Sequence, residues 1–340
     1  MTTLDSLLTD LPRVHLGHMP TPLELLPRMT KELGGPNIWV KRDDCTGLAI
    51  GGNKTRKLEY LLGEAAVQGA DSVVTFGAIQ SNHARQTAAA CARTGLNCHL
   101  FLTDQVTSKD PRYKSGGNVL LDRLTGAKLH FFAPDDADAM RAKLAELREH
   151  SNLYVIPAGG SNATGAIGYV GCAEEIMLQS ADLGIHPQTI VHASSSAGTQ
   201  AGLVWGLTAL GASTDVLGIN VYHPDPVQLH NRINELLGDL DARFETKYKN
   251  LAKIQVNHAY LADGYGQLNP QTASAIILAA RLEGLLFDPV YSGKALLALI
   301  DQIAIGAFDK ASDVVLIHTG GSPALNVYED LLYQSFTEEL

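Results

Sequence analysis

Residues 47–57 read Gly47-Leu48-Ala49-Ile50-Gly51-Gly52-Asn53-Lys54-Thr55-Arg56-Lys57, a small-residue loop between an apolar strand, Asn37 to Lys41, and a helix that begins at Lys54. The helix is read from Leu58, Leu61, Leu62, Ala65 and Ala66, whose spacing lays an apolar stripe along one face. Asn53 is then placed to cap the helix, and Lys54 stands in its first turn. An ammonium ion is disfavoured there, because the positive end of the helix dipole and the neighbouring Arg56 and Lys57 all oppose its charge. A lysine with lowered proton affinity can attack a carbonyl and form a Schiff base. Two other readings compete. One is a solvated surface lysine. The other is a nucleotide P-loop in an ATP-binding enzyme, because Gly47, Gly52, Lys54 and Thr55 nearly fit G-x-x-x-x-G-K-[ST]. Asn53 spoils that fit by moving the lysine and hydroxyl out of register with a phosphate cradle.

On either side of this loop, strand and helix patterns alternate. Ser72 to Gly77 precedes a helix over Asn82 to Thr94, Cys98 to Leu102 precedes Asn118 to Leu124, and Lys128 to Phe132 precedes Ala137 to His150. The pattern restarts with strand Tyr154 to Ala158, a helix from about Thr164, strand Thr189 to Ala193, a helix from Gly198 and strand Val216 to Tyr222. Helices near Gln271 to Glu283 and from Ser292 lead to a closing strand, Val314 to His318, and the N-terminal arm is irregular. Continuous apolar strands separated by helices imply an α/β fold with two largely parallel sheets, each flanked by helices, and ligands at the C-terminal strand ends.

A length of 340 residues predicts two lobes, and 45% hydrophobic with 18% charged residues is the profile of a globular enzyme. With 26 Lys and Arg against 36 Asp and Glu, the net charge of −10 offers no cationic surface for nucleic acid. The four cysteines, Cys45, Cys91, Cys98 and Cys172, form no C-x-x-C pair and read as buried thiols of a reducing compartment, with neither disulfides nor a metal site. The N-terminus lacks the basic and apolar regions of a secretion signal, so the expectation is cytoplasmic. The apolar stretch Ala295 to Phe308, broken by Asp301 and Gln302, falls short of a membrane span and reads as a core helix.

A second anion site is read at Ser194-Ser195-Ser196-Ala197-Gly198-Thr199-Gln200-Ala201-Gly202, where a strand runs into an apolar helix. Small residues there let N–H groups and hydroxyls surround a phosphate at a helix start. Together with Lys54 it suggests a phosphorylated aldehyde. In Gln80-Ser81-Asn82-His83-Ala84-Arg85, Ser81 and Asn82 can present donors to a carboxylate.

With Thr21-Pro22-Leu23, Lys41-Arg42-Asp43-Asp44, Gly51-Gly52-Asn53-Lys54-Thr55-Arg56-Lys57-Leu58-Glu59, Gln80 to His83, Ala197 to Gly202, Asp288-Pro289-Val290-Tyr291-Ser292-Gly293-Lys294 and His318-Thr319-Gly320-Gly321 in order, nearly the whole chain resembles the fold-type II enzymes of pyridoxal 5′-phosphate (PLP). The resemblance is to the group holding 1-aminocyclopropane-1-carboxylate (ACC) deaminase, D-cysteine desulfhydrase and L-cysteate sulfo-lyase. It implies a tryptophan synthase β-like fold, with residues 1–55 and 165–340 forming a large cofactor lobe and 56–164 a small one, and a homodimer. It also implies that Lys54 carries the PLP and moves the Cα proton, and that Asn53 and Asn82 contact the cofactor, Asn82 at its phenolic oxygen. Ser81, Asn82 and His83 would grip the carboxylate of a small amino acid, Ser196, Ala197, Gly198 and Thr199 would hold the phosphate, and Tyr265 and Tyr291 would complete the site. Where the deaminases carry Glu and Leu, this chain has Ser292 and Thr319. A hydroxyl in place of a carboxylate near the pyridine nitrogen leaves that nitrogen uncharged and the ring a weaker electron sink, which suits β-elimination better than ring opening. The run Arg42 to Ala49 with Asn53 to Arg56 resembles the L-cysteate sulfo-lyases, giving L-cysteate first, D-cysteine second and ACC third as substrate. Ser161, Thr164 and Thr319 are the candidate hydroxyl donors to a sulfonate.

Overall fold

The apolar runs pair into two separate sheets in the computed structural model of the chain, which describes residues 4–106, 110–246 and 254–337. The strands are β1 (Leu23–Leu25), β2 (Asn37–Lys41), β3 (Ser72–Ala78), β4 (Asn97–Thr103), β5 (Lys128–Phe132), β6 (Leu153–Ile156), β7 (Pro187–Ser194), β8 (Asp215–Asn220), β9 (Gln255–Asn257) and β10 (Asp313–Ile317). The helices are α1 (Asp5–Leu8), α2 (Pro27–Leu33), α3 (Lys54–Val67), α4 (Asn82–Thr94), α5 (Gly117–Leu124), α6 (Ala137–His150), α7 (Ala163–Leu183), α8 (Gly198–Ala209), α9 (Pro226–Arg243), α10 (Pro270–Glu283), α11 (Ser292–Ala304) and α12 (Glu329–Thr337). One sheet has the order β1-β2-β10-β7-β8-β9, and the other β5-β4-β3-β6. Every neighbouring pair is parallel except β1 with β2.

The reason is visible in β10. Val315 and Ile317 pack on one side with α7, α8 and α9, while Val314 and Leu316 pack on the other with α2, α10 and α11. A strand whose alternate side chains both meet helices must be apolar throughout, and this is the α/β architecture that the sequence implies. Helix α3 is shared. Its Leu58, Leu61, Leu62 and Ala65 pack with Val73, Leu100 and Ile156 of the small sheet, whereas Tyr60 packs with Ile167, Tyr169 and Val170 on α7. The two helices touch closely where a Cβ on Gly168 would stand 2.3 Å from the Arg56 carbonyl oxygen.

Several elements differ from expectation. β6 stops at Ile156, short of Ala158, because Pro157 and the left-handed Gly159 (φ 67°) and Gly160 (φ 60°) turn the chain out of the ladder. β8 stops at Asn220, short of Tyr222, because Asn220 Oδ1 accepts the N–H groups of Tyr222 (3.1 Å) and His223 (3.0 Å). The N-terminal arm, read as irregular, contains α1, β1 and α2. Helix α9 was not foreseen, although Asp225 caps it through Val227 N (2.9 Å) and Leu229, Ile233, Leu236, Leu237 and Leu240 form its buried stripe. Asn53 does not cap α3 with its side chain; its own backbone is helical (φ −62°, ψ −20°). Cys91, Cys98 and Cys172 are buried free thiols, but Cys45 is exposed, because it stands in the turn after β2. Among the described residues no helix is long and apolar enough to cross a membrane.

Candidate active site

The starts of α3, α4 and α8 converge on one cavity of about 540 Å³ at the C-terminal ends of strands from both sheets. Asn53, Lys54, Ser81, Asn82 and His83 line it from one side. Ser161, Ser196, Ala197, Thr199, Tyr265, Tyr291 and Thr319 line it from the other. Gly198, Thr164 and Ser292 are absent from the wall. Gly198 lies beneath it, with its N–H already donated to Ser196 O (3.0 Å) and Ser161 Oγ (3.3 Å). Ser292 turns its hydroxyl to Asp288 Oδ1 (2.6 Å) and accepts the Asp288 N–H (2.9 Å), so it is fixed under the site and not presented to a ligand. Asp288 itself accepts N–H groups from Val290, Tyr291 and Ser292, and burial raises its carboxyl above the usual range.

Lys54 lines the cavity, and among the described residues no hydrogen bond or ion pair engages its amine. Burial pushes it down to about 8. Arg56, expected to add to this, faces away: it grips Asp43 (2.8 Å) and Glu175 (2.9 Å). Lys41 also bonds Glu175, and Tyr169 donates to Asp43 Oδ2 at 2.5 Å. Lys57, one turn after Lys54, reaches the wall of the site from behind without lining the cavity itself. It is wholly buried and donates to Ser161 Oγ (3.0 Å) and Gly159 O (3.2 Å), both neutral, and burial together with the nearby Lys54 amine pushes it well below the ordinary lysine range. Thr55, which a P-loop would turn toward a metal, is buried with its hydroxyl on Gln86 Oε1 (3.2 Å).

Lys57 is one residue that sequence reasoning missed. The i, i+3 spacing from Lys54 to Lys57 puts both on one helix face and was the available signal. Its neighbours pack closely around glycines: a Cβ on Gly198 would lie 2.9 Å from Lys57 Nζ, and one on Gly159, itself left-handed (φ 67°), would lie 2.2 Å from Ser196 Oγ. Ala197 is left-handed (φ 70°), which turns the loop into the first turn of α8, and Ser194 Oγ is buried without a partner. Two buried amines with no carboxylate beside them among the described residues, next to a helix N-terminus, make a place where an anion would be received and would restore their charge. A phosphorylated aldehyde fits, with Lys54 for the aldehyde and Lys57 and the α8 start for the phosphate.

On α4, Ser81 caps the helix by accepting the Ala84 N–H (3.2 Å). The N–H groups of Asn82 and His83 therefore stand at a helix start, where intrahelical acceptors are lacking. The His83 ring cannot help to grip a carboxylate as expected. Thr75 gives its only hydroxyl proton to Ile156 O (2.9 Å), so at 2.8 Å it must accept from His83 Nε2–H, which leaves Nδ1 as a bare acceptor. Burial first, then Lys54 and Lys57, hold this imidazole neutral. What His83 can offer a carboxylate is its backbone N–H.

Tyr265 and Tyr291 meet hydroxyl to hydroxyl at 2.5 Å, and burial raises both. One donates to the other, so one hydroxyl proton remains to be given. Arg232, on the unforeseen α9, also lines the cavity, where it is held by Ser161 O (3.0 Å) and Glu235 (2.9 Å).

A family model described as pyridoxal-phosphate dependent enzyme matches residues 14–320. A D-cysteine desulfhydrase of Yersinia pestis (strain Pestoides F) is 43% identical over 335 residues, covering 96% of this chain and 98% of that protein. A D-cysteine desulfhydrase of Serratia proteamaculans (strain 568) is 43% identical over 330 residues, with the same coverage of 96% and 98%. Among solved structures, one titled as an ACC deaminase homologue superposes with a TM-score of 0.87 at 36% identity, covering 98% of this chain and 99% of that one. A fungal L-serine ammonia-lyase from Rhizomucor miehei shares the fold, with a TM-score of 0.68 at 17% identity and coverage of 95% and 98%.

Proposed function

We propose, for a chain that belongs to the pyridoxal-phosphate dependent enzymes, that its reaction is β-elimination from D-cysteine to pyruvate, hydrogen sulfide and ammonia. The observation that carries the reading is the Lys54 amine on the cavity wall, with no carboxylate beside it among the described residues, backed by the buried Lys57 amine directly behind the wall at Gly159 and Ser161. When bound, PLP supplies an electron-accepting ring that acidifies the substrate Cα–H and lets the β-substituent leave with its electron pair.

The residues then divide the work. Lys54 Nζ carries the cofactor at rest and takes the Cα proton during turnover, a task suited to an amine that titrates near 8. Ser196, Ala197 and Thr199 at the start of α8 hold the phosphate, with Lys57 behind them at Ser161 and Asn53 behind Thr199 through Nδ2 to Oγ1 at 3.4 Å. Asn82 faces the ring oxygen. The backbone of Asn82 and His83, with the Ser81 hydroxyl, receives the substrate carboxylate. Thr319 lines the wall above Ser292, and the Tyr265–Tyr291 pair offers its spare proton to the leaving sulfur. The Cβ–S bond breaks, sulfide leaves and is protonated, and water hydrolyses the released aminoacrylate to pyruvate and ammonia. The reading includes a cytoplasmic homodimer.

D-cysteine is preferred to L-cysteate on two grounds. The D-cysteine desulfhydrases cited above match over nearly the full length of the chain. In addition, a sulfonate would be favoured by an unengaged cation, and among the described residues the one guanidinium on the cavity wall, Arg232, is engaged by Glu235 and Ser161. Sulfide, sulfite and 2-oxobutanoate release should be assayed with both cysteine enantiomers, L-cysteate and ACC. The expected result is sulfide and pyruvate from D-cysteine, with kcat/KM at least roughly tenfold above any other substrate. Sulfite from L-cysteate as the faster reaction would overturn the substrate, and 2-oxobutanoate from ACC would overturn elimination.

A further inference from the structure

A carboxamide has chemically opposite ends, and only one end of Asn82 can donate to a cofactor oxygen. Its orientation is set by an obligate donor. Arg85, one turn further along α4 and wholly buried, donates from Nε to Asn118 Oδ1 at 3.0 Å. A guanidinium has no acceptor, so Asn118 must turn its oxygen to Arg85 and its nitrogen away. That nitrogen donates to Gln80 O (3.0 Å) and Asn82 Oδ1 (3.0 Å). The Asn118 N–H is fixed as well, on Gln80 Oε1 (2.9 Å). Asn82 has thus committed its oxygen, and its Nδ2 lies on the other side, 2.7 Å from where a Cβ on Gly321 would stand. Arg85 reaches in a second direction. Its Nη1 donates to the carbonyls of Ala49 (2.5 Å) and Gly51 (2.8 Å), in a turn where Ala49 (φ 42°), Ile50 (φ 71°) and Gly51 (φ 72°) are all left-handed and which ends just before Lys54. Neither Arg85 nor Asn118 lines the cavity.

We propose that Arg85 and Asn118 are positioning residues that hold the Asn82 amide nitrogen toward the bound cofactor and tie that orientation to the strained turn preceding Lys54. The inference rests on the proposed placing of Asn82 at the cofactor ring oxygen. Asn118→Asp separates positioning from folding, because it keeps an acceptor for Arg85 but has no donor, which leaves Asn82 free to turn its oxygen toward the ring. The test compares wild type, N118D, N82A and the double variant as holoenzyme and as apo protein titrated with PLP. N118D is expected to move the visible absorption band of the bound cofactor and its pH titration, and to weaken PLP binding roughly tenfold, the worth of one hydrogen bond. Both changes should vanish when N118D is added to N82A. A wild-type spectrum and affinity in N118D, or the same change persisting in the N82A background, would overturn the proposal. N82A with an unchanged spectrum and affinity would instead remove its premise, which is a distinguishable failure. Asn118→Ala carries the same expectations if the carboxylate in N118D prevents folding.

Discussion

Two sets of buried bases lie within one turn of each other on α3 and its surroundings, and they behave in opposite ways. Arg56 and Lys41 are wrapped by Asp43 and Glu175, and the carboxylates hold the Arg56 guanidinium well above its ordinary value while being lowered themselves. Lys54 and Lys57 have no such partners, and burial drives both down. The same local sequence, Lys54-Thr55-Arg56-Lys57, therefore contains a structural charge and two reactive or ligand-seeking ones. What separates them is the direction each takes: toward α7 and the β2 turn, or toward the cavity and the Gly159–Ser161 segment of its wall. A buried base without a carboxylate is the more informative of the two, because its desolvation is left for a ligand to offset.

The contrast can be tested in order of expected effect. Lys54→Ala should lower kcat by about 10⁴ or more and leave protein from which borohydride fixes no cofactor at this position; peptide mapping and stopped assays check both. Arg56→Met should cost about 3–5 kcal/mol of stability, because it strands the buried Asp43 carboxylate; urea unfolding of the apo protein would show it, and a midpoint equal to wild type would refute the structural role. Lys57→Met should do the reverse. It should leave apo stability unchanged or raised, since a buried amine with only neutral partners is removed, while weakening PLP binding by roughly 10- to 100-fold. If Lys57→Met destabilises the apo protein as much as Arg56→Met does, the distinction between the two sets collapses. The smallest effect concerns pH. Only the neutral Lys54 amine can capture an aldehyde, and its value near 8 makes the neutral fraction rise about tenfold from pH 7 to pH 9 and then level off. The rate at which apo protein takes up PLP should follow that curve, whereas an unshifted lysine would still gain about tenfold per pH unit at pH 9.

Sequence and structure agree best where one physical requirement fills a whole segment. Strands such as Val314 to Ile317 must be apolar on both faces, so the α/β alternation was readable, and Lys54, Asn82 and the Ser196 to Thr199 loop stand where strand ends meet helix starts. The α9 stripe at Leu229, Ile233, Leu236 and Leu240 was equally readable in the sequence and was passed over, and with it Arg232. Other features had no local signature. Nothing in Arg56-Lys57 says which cation meets a carboxylate, because Asp43 and Glu175 are brought there by the tertiary fold. The bare Nδ1 of His83 depends on where Thr75 sends one proton, and the turned-away Ser292 depends on Asp288. Such facts are settled by partners distant in the chain or by single protons.

The shared helix α3 bears on how the chain can be taken apart. The strand pattern invites a division into two modules, and the expected boundaries at 55/56 and 164/165 both fall in the first turns of helices, α3 and α7, that lie against each other. A division at those points would keep Leu58, Leu61 and Leu62 with their own core but strip Tyr60 from Ile167, Tyr169 and Val170 in the other. A half swapped into a relative as a cassette would therefore leave the buried face of α3 at Tyr60 uncovered, on the helix that begins at Lys54.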